Sequence, residues 1–312
     1  YSLTCVEDLY AMPMKSLKKI KIILLLIGLV GFATLLYKLD AREVYYDLCQ
    51  LKWRLFLVLL PYSLVFALDT LGWKYAFQGW TPKLTFSSLF AARMAGEAIN
   101  CLTPSGYMGG EPLKAYLLKR YNISMVEGMA SVVISRTIMA IAQVVFILLG
   151  VTLALSRFQA TGMLLTVATG TILVGIPITA LVFISQKKGL FTAFYNLLRR
   201  FKITVRYLED RERELMELDE NISQFYSTNR RGFFLCFFFY FLGWLAGVIE
   251  VYLILTFLGV PIDLFGLFII ESLFTVARSV TSFIPGSLGG QEGGVVLIFL
   301  ALQLTIQTGL SF

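Results

Sequence analysis

Apolar runs too long for a soluble core recur along this chain, at about residues 20–37, 55–77, 130–155, 162–185 and 233–258. Each comes close to or exceeds the ~20 helical residues that cross a hydrocarbon layer about 30 Å thick. The chain is 57% hydrophobic over 312 residues, with a mean hydropathy of +0.76. One soluble core could not hide that much apolar surface, so the excess must face lipid. The runs show no regular apolar–polar alternation, which argues against a β-barrel. The predicted class is an all-α polytopic membrane protein with five full spans.

Charge and residue usage then remove whole classes of function. The net charge is +7, but the basic residues cluster in loops, as the positive-inside rule expects. They point to membrane orientation and to anionic headgroups rather than to nucleic acid. The cysteines are Cys5, Cys49, Cys101 and Cys236, none at a metal or redox spacing. Histidine is absent, which removes the commonest general base and most zinc sites. No phosphate-binding loop of the GxxxxGK[ST] type occurs, so ATP does not drive the chain directly. The reading carries no cofactor and no metal. Residues 1–13 form an uninformative extension. Met14 opens a basic flank, and the run that follows reads as a retained first span rather than a cleaved leader. Residues 14–312 form one transmembrane domain with a cytoplasmic linker at about 186–231, whose part from Tyr207 to Asn221 reads as a solvated or interfacial helix.

Two further apolar segments, about 84–103 and 264–284, end in Pro/Gly-rich breaks. One runs from Thr103 and Pro104 to Gly109, Gly110 and Glu111. The other runs from Ile284 and Pro285 to Gly289, Gly290 and Glu292. Parity decides how they sit. Lys15, Lys18, Lys19 and Lys21 place the N-terminus in the cytoplasm. If 84–103 crossed fully, Lys114, Lys119, Arg120 and the basic linker would all lie outside. If it dips in, breaks at Pro104 and returns through 110–122, they all lie inside. The second break then enters from the other face. Glu111 follows Pro104 by seven residues and Glu292 follows Pro285 by seven, and Gly109 and Gly290 also match in offset. The pattern is that of an inverted repeat with two opposed re-entrant hairpins, and a final span is expected beyond Phe312.

Broken backbone at membrane depth implies a protein- or water-lined cavity. Gly109, Gly110, Gly289 and Gly290 precede helix starts, where free N–H groups can cradle a phosphate or simply make a tight turn. Glu111 and Glu292 can favour the helix dipole, meet an amine headgroup or carry a proton. Ionisable residues within the apolar segments are Asp69, Arg93, Glu97, Arg136, Glu250, Glu271 and Arg278. Such groups are costly in a membrane. Arg93 with Glu97, and Glu271 with Arg278, share helix faces and can pair internally. Alternatively Arg93, Arg136 and Arg278 line a path for a phosphate headgroup, which the arginine fork suits. The aromatic run Phe237, Phe238, Phe239 and Tyr240 reads as lipid-facing.

Pro104 through Glu111 with Lys114-Ala115-Tyr116, and Ser282 through Glu292-Gly293, resemble the flippase-like family, also called the lysylphosphatidylglycerol synthase transmembrane-region family. Gln291 to Gly294 resembles its hopanoid-biosynthesis-associated members. The resemblance implies a bacterial inner-membrane protein that handles phospholipid or a related lipid, often without an attached enzyme domain. The expected function is lipid translocation, as a flippase or scramblase and not as an enzyme, with membrane lipids as partners. A secondary transporter of a small solute or polyprenyl phosphate, and an intramembrane lipid-modifying enzyme, are the alternatives.

Overall fold

In the computed structural model, residues 54–78, 84–102, 109–157, 162–201, 211–282, 284 and 289–301 are described. The extension at 1–13, the run at 20–37 and the break prolines Pro104 and Pro285 lie outside them. The described residues form helices and no strand. In chain order these are α1 (Leu55–Lys74), α2 (Phe86–Leu102), α3 (Glu111–Leu118), α4 (Met125–Arg157), α5 (Gly162–Gly170), α6 (Ile176–Lys187), α7 (Leu190–Arg200), α8 (Glu212–Thr228), α9 (Arg230–Phe257), α10 (Leu264–Val280) and α11 (Gly290–Ala301).

Four apolar stretches among the described residues are long enough to cross a bilayer: Phe56–Lys74, Met125–Arg157, Leu165–Lys187 and Arg230–Phe257. The third is one continuous helix made of α5, a π-helical turn at Thr171–Gly175, and α6. Pro177 lacks an N–H and its ring crowds the preceding turn, which the widened π turn accommodates. This span is peripheral. Leu173 is 71% exposed and Leu181 65%, an arrangement that water would not tolerate and lipid does.

Local chemistry sets the ends. Ser124 Oγ accepts from the Glu127 amide at 3.0 Å ahead of α4, and Asn229 Oδ1 accepts from the Gly232 amide at 2.9 Å ahead of α9. Both are N-caps that satisfy orphan donors. At the far end of α9, Val260 N reaches Leu255 O at 2.9 Å and Gly259 N reaches Thr256 O at 3.2 Å. Gly259 has φ +73°, so this is a Schellman stop with Pro261 beyond it. Asp263 then caps α10 through the Gly266 amide at 3.0 Å.

Helix α4 is the spine of the bundle, and its 33 residues extend about 50 Å at the α-helical rise. Its first half packs with α1, α8 and the start of α9 around Trp73, Ile134, Ile138, Ile222, Phe225 and Tyr240. Its second half packs with α9 and α10 around Phe146, Val251, Ile269 and Leu273.

Two departures from the sequence reading follow from burial. Helix α8 also has an interior face: Leu218 within the 207–221 stretch, and Ile222, Phe225 and Tyr226 just beyond it, are buried, because one face of this charged helix is apolar at helical spacing. Its Asp219 carboxylate accepts from the amides of Phe191 at 3.0 Å and Thr192 at 2.7 Å, capping α7. We expect Asp219→Ala to destabilise this end by about 1–2 kcal/mol, seen as faster amide hydrogen exchange in α7 with exchange in α4 unchanged. The second departure is Lys114. It is only 3% exposed and packs inside the protein rather than in an open loop. Exposed Lys119 and Arg120 remain at that end.

Candidate functional site

Helices α2 and α3 fold back on each other as an antiparallel pair. Their crossing is so close that a Cβ on Gly110 would lie 1.9 Å from the Gly96 carbonyl oxygen. The Gly110 N–H donates to Asn100 Oδ1 at 2.6 Å, so this amide is already engaged in the structure. Tight packing accounts for Gly110 here, and the phosphate-cradle reading finds no free N–H at that residue. Helices α10 and α11 form a second antiparallel pair, with Gly290 against Thr281 and Gly294 against Ala277. Gly289 has φ +74° and turns the chain into α11.

The first pair brings a charged network into the interior. Arg93 Nη2 lies 2.5 Å from Asp69 Oδ2 of α1 and 4.0 Å from Glu97 Oε1. Glu97 Oε1 accepts from Lys114 Nζ at 2.7 Å and from Arg136 Nη2 at 3.0 Å. Glu111 Oε1 accepts from Lys114 at 3.0 Å, from Arg136 Nε at 2.7 Å and also from Arg136 Nη2. Asn100 Nδ2 joins both glutamates at 3.2 Å. Asp69, Glu97 and Glu111 thus balance Arg93, Lys114 and Arg136. Buried charge persists where it is paired and hydrogen-bonded. Arg136 is the most open of the six, its side chain 27% exposed.

The second pair is different. Arg278 makes no ion pair among the described residues and lies over the Phe274 ring, 4.6 Å from its centroid. Glu271 is 4% exposed. It forms no ion pair with Arg278, seven residues on. Glu292 Oε2 is buried without a hydrogen-bond partner, as are Thr275 Oγ1 and Trp244 Nε1.

The two pairs meet the spine from opposite ends. On the first, Ala115 packs at Gly128 of α4, and Glu111, at its tip, reaches Arg136. On the second, Asp263 bonds Arg157, Ser272 packs at Gly150, and Ser279, near its tip, accepts from Gln143 at 2.7 Å. Both tips therefore converge on the stretch of α4 between residues 136 and 143, about 10 Å long by helical rise. Of the residues singled out from the sequence, Arg93, Glu97, Gly109, Gly110, Glu111 and Arg136 gather at the first tip. Glu271, Arg278, Gly289, Gly290 and Glu292 belong to the second pair.

The sequence matches the lysylphosphatidylglycerol synthase transmembrane region over residues 20–312. The chain belongs to that family. Two family relatives are UPF0104 membrane proteins. The one from Methanothermobacter thermautotrophicus is 28% identical over 299 residues, covering 89% of this chain and 84% of that protein. The one from Pyrococcus horikoshii is 25% identical over 256 residues, covering 79% and 76%. No solved structure matches. Membership of this family agrees with the apolar helices in making the chain a multi-pass membrane protein. The family's name ties its fold to membrane-lipid chemistry.

Asn100 and Lys114 were missed as site residues, and Asp69 was noted only as an ionisable group. A signal was there: Asn100 follows Glu97 by three and Lys114 follows Glu111 by three, so each pair shares a helix face.

Proposed function

We propose that this family member moves a lipid across the membrane as a flippase or scramblase, without covalent chemistry, and that the headgroup passes between the two hairpin tips. The observation that carries the proposal is the convergence of both tips on the middle of α4. A helix of that length crosses the whole bilayer, so its midpoint is the midplane. Two helix pairs that reach it from opposite ends without crossing are the arrangement in which a substrate site opens alternately to either face.

Charge distribution supports an orientation. Lys119, Arg120, Lys187, Lys188, Arg199, Arg200, Arg230 and Arg231 flank one end of the spans, while Arg157, beside Asp263, and Arg54, over the Phe257 ring, flank the other. The first end is then cytoplasmic. Single-cysteine labelling in intact cells should modify residues 157 and 259 from outside and leave 119 and 188 untouched. External labelling of 119 would defeat the orientation.

Within this reading Arg278 is the headgroup ligand. Among the described residues its guanidinium makes no ion pair, whereas those of Arg93 and Arg136 are already engaged. A phosphate held by two parallel arginine hydrogen bonds loses that geometry on Arg278→Lys, though the positive charge remains. Loss of one charge-assisted bond costs about 1.5–3 kcal/mol, so we expect lipid movement in reconstituted vesicles to fall about tenfold or more. Wild-type rates for Arg278→Lys would remove Arg278 from the path. A wild-type protein that moves fluorescent phospholipid no faster than protein-free vesicles would end the lipid reading.

A further inference from the structure

Every carboxylate that α1, α2 and α3 bury meets a cation: Asp69 has Arg93, and Glu97 and Glu111 share Lys114 and Arg136. Glu271 breaks this pattern. It is 4% exposed, and its carboxylate has neither an ion pair nor a hydrogen bond among the described residues. It sits at the contact of α10 with α9, so close that a Cβ on Gly247 would lie 2.7 Å from Oε1. Thr275, one turn along the same face of α10, is fully buried with an unpartnered hydroxyl. Trp244, one turn before Gly247 on α9, has an unpartnered indole N–H.

The surrounding charges do not supply what Glu271 lacks. Helix α9 presents Glu250, which repels a second negative charge. The arginine of its own helix, Arg278, seven residues on and about 10 Å along the axis, attracts a charge on Glu271 more than Glu250 repels it, but it makes no ion pair with it. From α4 the groups facing α10 are Gly150 and Gln143, and no charged residue occurs on α4 between Arg136 and Arg157. Helix α11 carries Glu292, which the pairing of Gly290 with Thr281 and of Gly294 with Ala277 sets about two turns along α10 from Glu271. An ionised carboxylate in this position would bear a desolvation cost of several kcal/mol with no partner in contact among the described residues to offset it.

We infer that Glu271 is a proton-binding site, loaded as a neutral carboxylic acid while α9 and α10 are closed and emptied when their contact opens to water. A hard metal cation needs about six or more oxygen ligands, and the described groups here offer one carboxylate, one hydroxyl and an indole donor. A proton needs one oxygen. The step is an acid–base exchange: an O–H bond forms on Glu271 from hydronium at one face and breaks to water at the other, with no oxidation. Coupling of this proton to lipid movement rests on the function proposed above. It would supply a driving force to a chain without a nucleotide-binding loop.

Two measurements separate the site from the coupling. In infrared difference spectra of the purified protein at neutral pH, the carbonyl stretch of a protonated carboxylic acid should be present in wild type and reduced in Glu271→Gln. Glutamine copies the neutral acid in shape, so this variant should keep the wild-type melting temperature at neutral pH. An unchanged carbonyl band in Glu271→Gln means that Glu271 is ionised and overturns the site. In vesicles, an imposed pH gradient should accelerate lipid movement by the wild type in one direction. Glu271→Gln should lose that response. A wild type that moves lipid but ignores the gradient overturns the coupling. A wild type that moves no lipid under any condition ends the lipid reading, and the infrared result still decides the proton site.

Discussion

Arg93→Met should lower the stability of the detergent-solubilised protein by about 3–5 kcal/mol, the usual cost of stranding one partner of a buried ion pair. The stranded group is Asp69, 6% exposed and held by Arg93 at 2.5 Å. Its next cation is not in contact, because Lys114 and Arg136 are committed to Glu97 and Glu111. The variant leaves the network with one excess negative charge. Asp69→Leu combined with Arg93→Met restores neutrality and fills similar volume, so the double variant should regain most of the lost stability. Thermal denaturation of the two singles and the double forms a closed cycle. A double variant as unstable as the sum of the singles would show that the pair is not the coupled unit described here.

Gly110→Ala should be the most damaging alanine substitution at a glycine of the first hairpin, costing about 3 kcal/mol or more. The new methyl would lie 1.9 Å from Gly96 O, 2.6 Å from its carbonyl carbon and 2.9 Å from its Cα. All three are backbone atoms of a neighbouring helix, so no side chain can turn away. Backbone strain is not the cause, since Gly110 has φ −88° and ψ −6°, which alanine adopts readily. Relief requires α2 and α3 to separate, which lengthens the Asn100 contact and draws Glu111 off Arg136. Gly128→Ala provides the comparison. Its methyl meets Ala115 at 3.2 Å, a gap that a few tenths of an ångström would relieve. Melting temperatures should therefore fall much further for Gly110→Ala than for Gly128→Ala, and lipid movement should be lost only in the former. Equal effects would show that the α2–α3 crossing is looser than its geometry indicates.

The spans were legible because lipid makes hydrophobicity and length almost sufficient criteria. The predicted run at 130–155 became Met125–Arg157 and that at 233–258 became Arg230–Phe257. The extra turns at their N-terminal ends come from Ser124 and Asn229, whose caps extend helix into polar sequence that a hydropathy reading discards. The hairpins were legible for a different reason. Charge parity favoured a fold-back of 84–103 over a full crossing, and in the structure α2 packs antiparallel on α3 and α10 on α11.

The sequence by itself determined that the chain lives in a membrane, where its helices lie, and which charged residues it carries among apolar neighbours, because those properties depend on composition and short-range spacing. It left open whether Arg93, Arg136 and Arg278 are equivalent. Tertiary structure decided that they are not. Arg93 and Arg136 face carboxylates from α1, α2 and α3, whereas Arg278 lies over an aromatic ring and Glu271 faces a glycine. Pairing depends on which helices come into contact, and contact between residues 25 to 40 apart in the chain, such as Arg136 with Glu111 and Glu97, is set by packing of whole helices rather than by any local pattern.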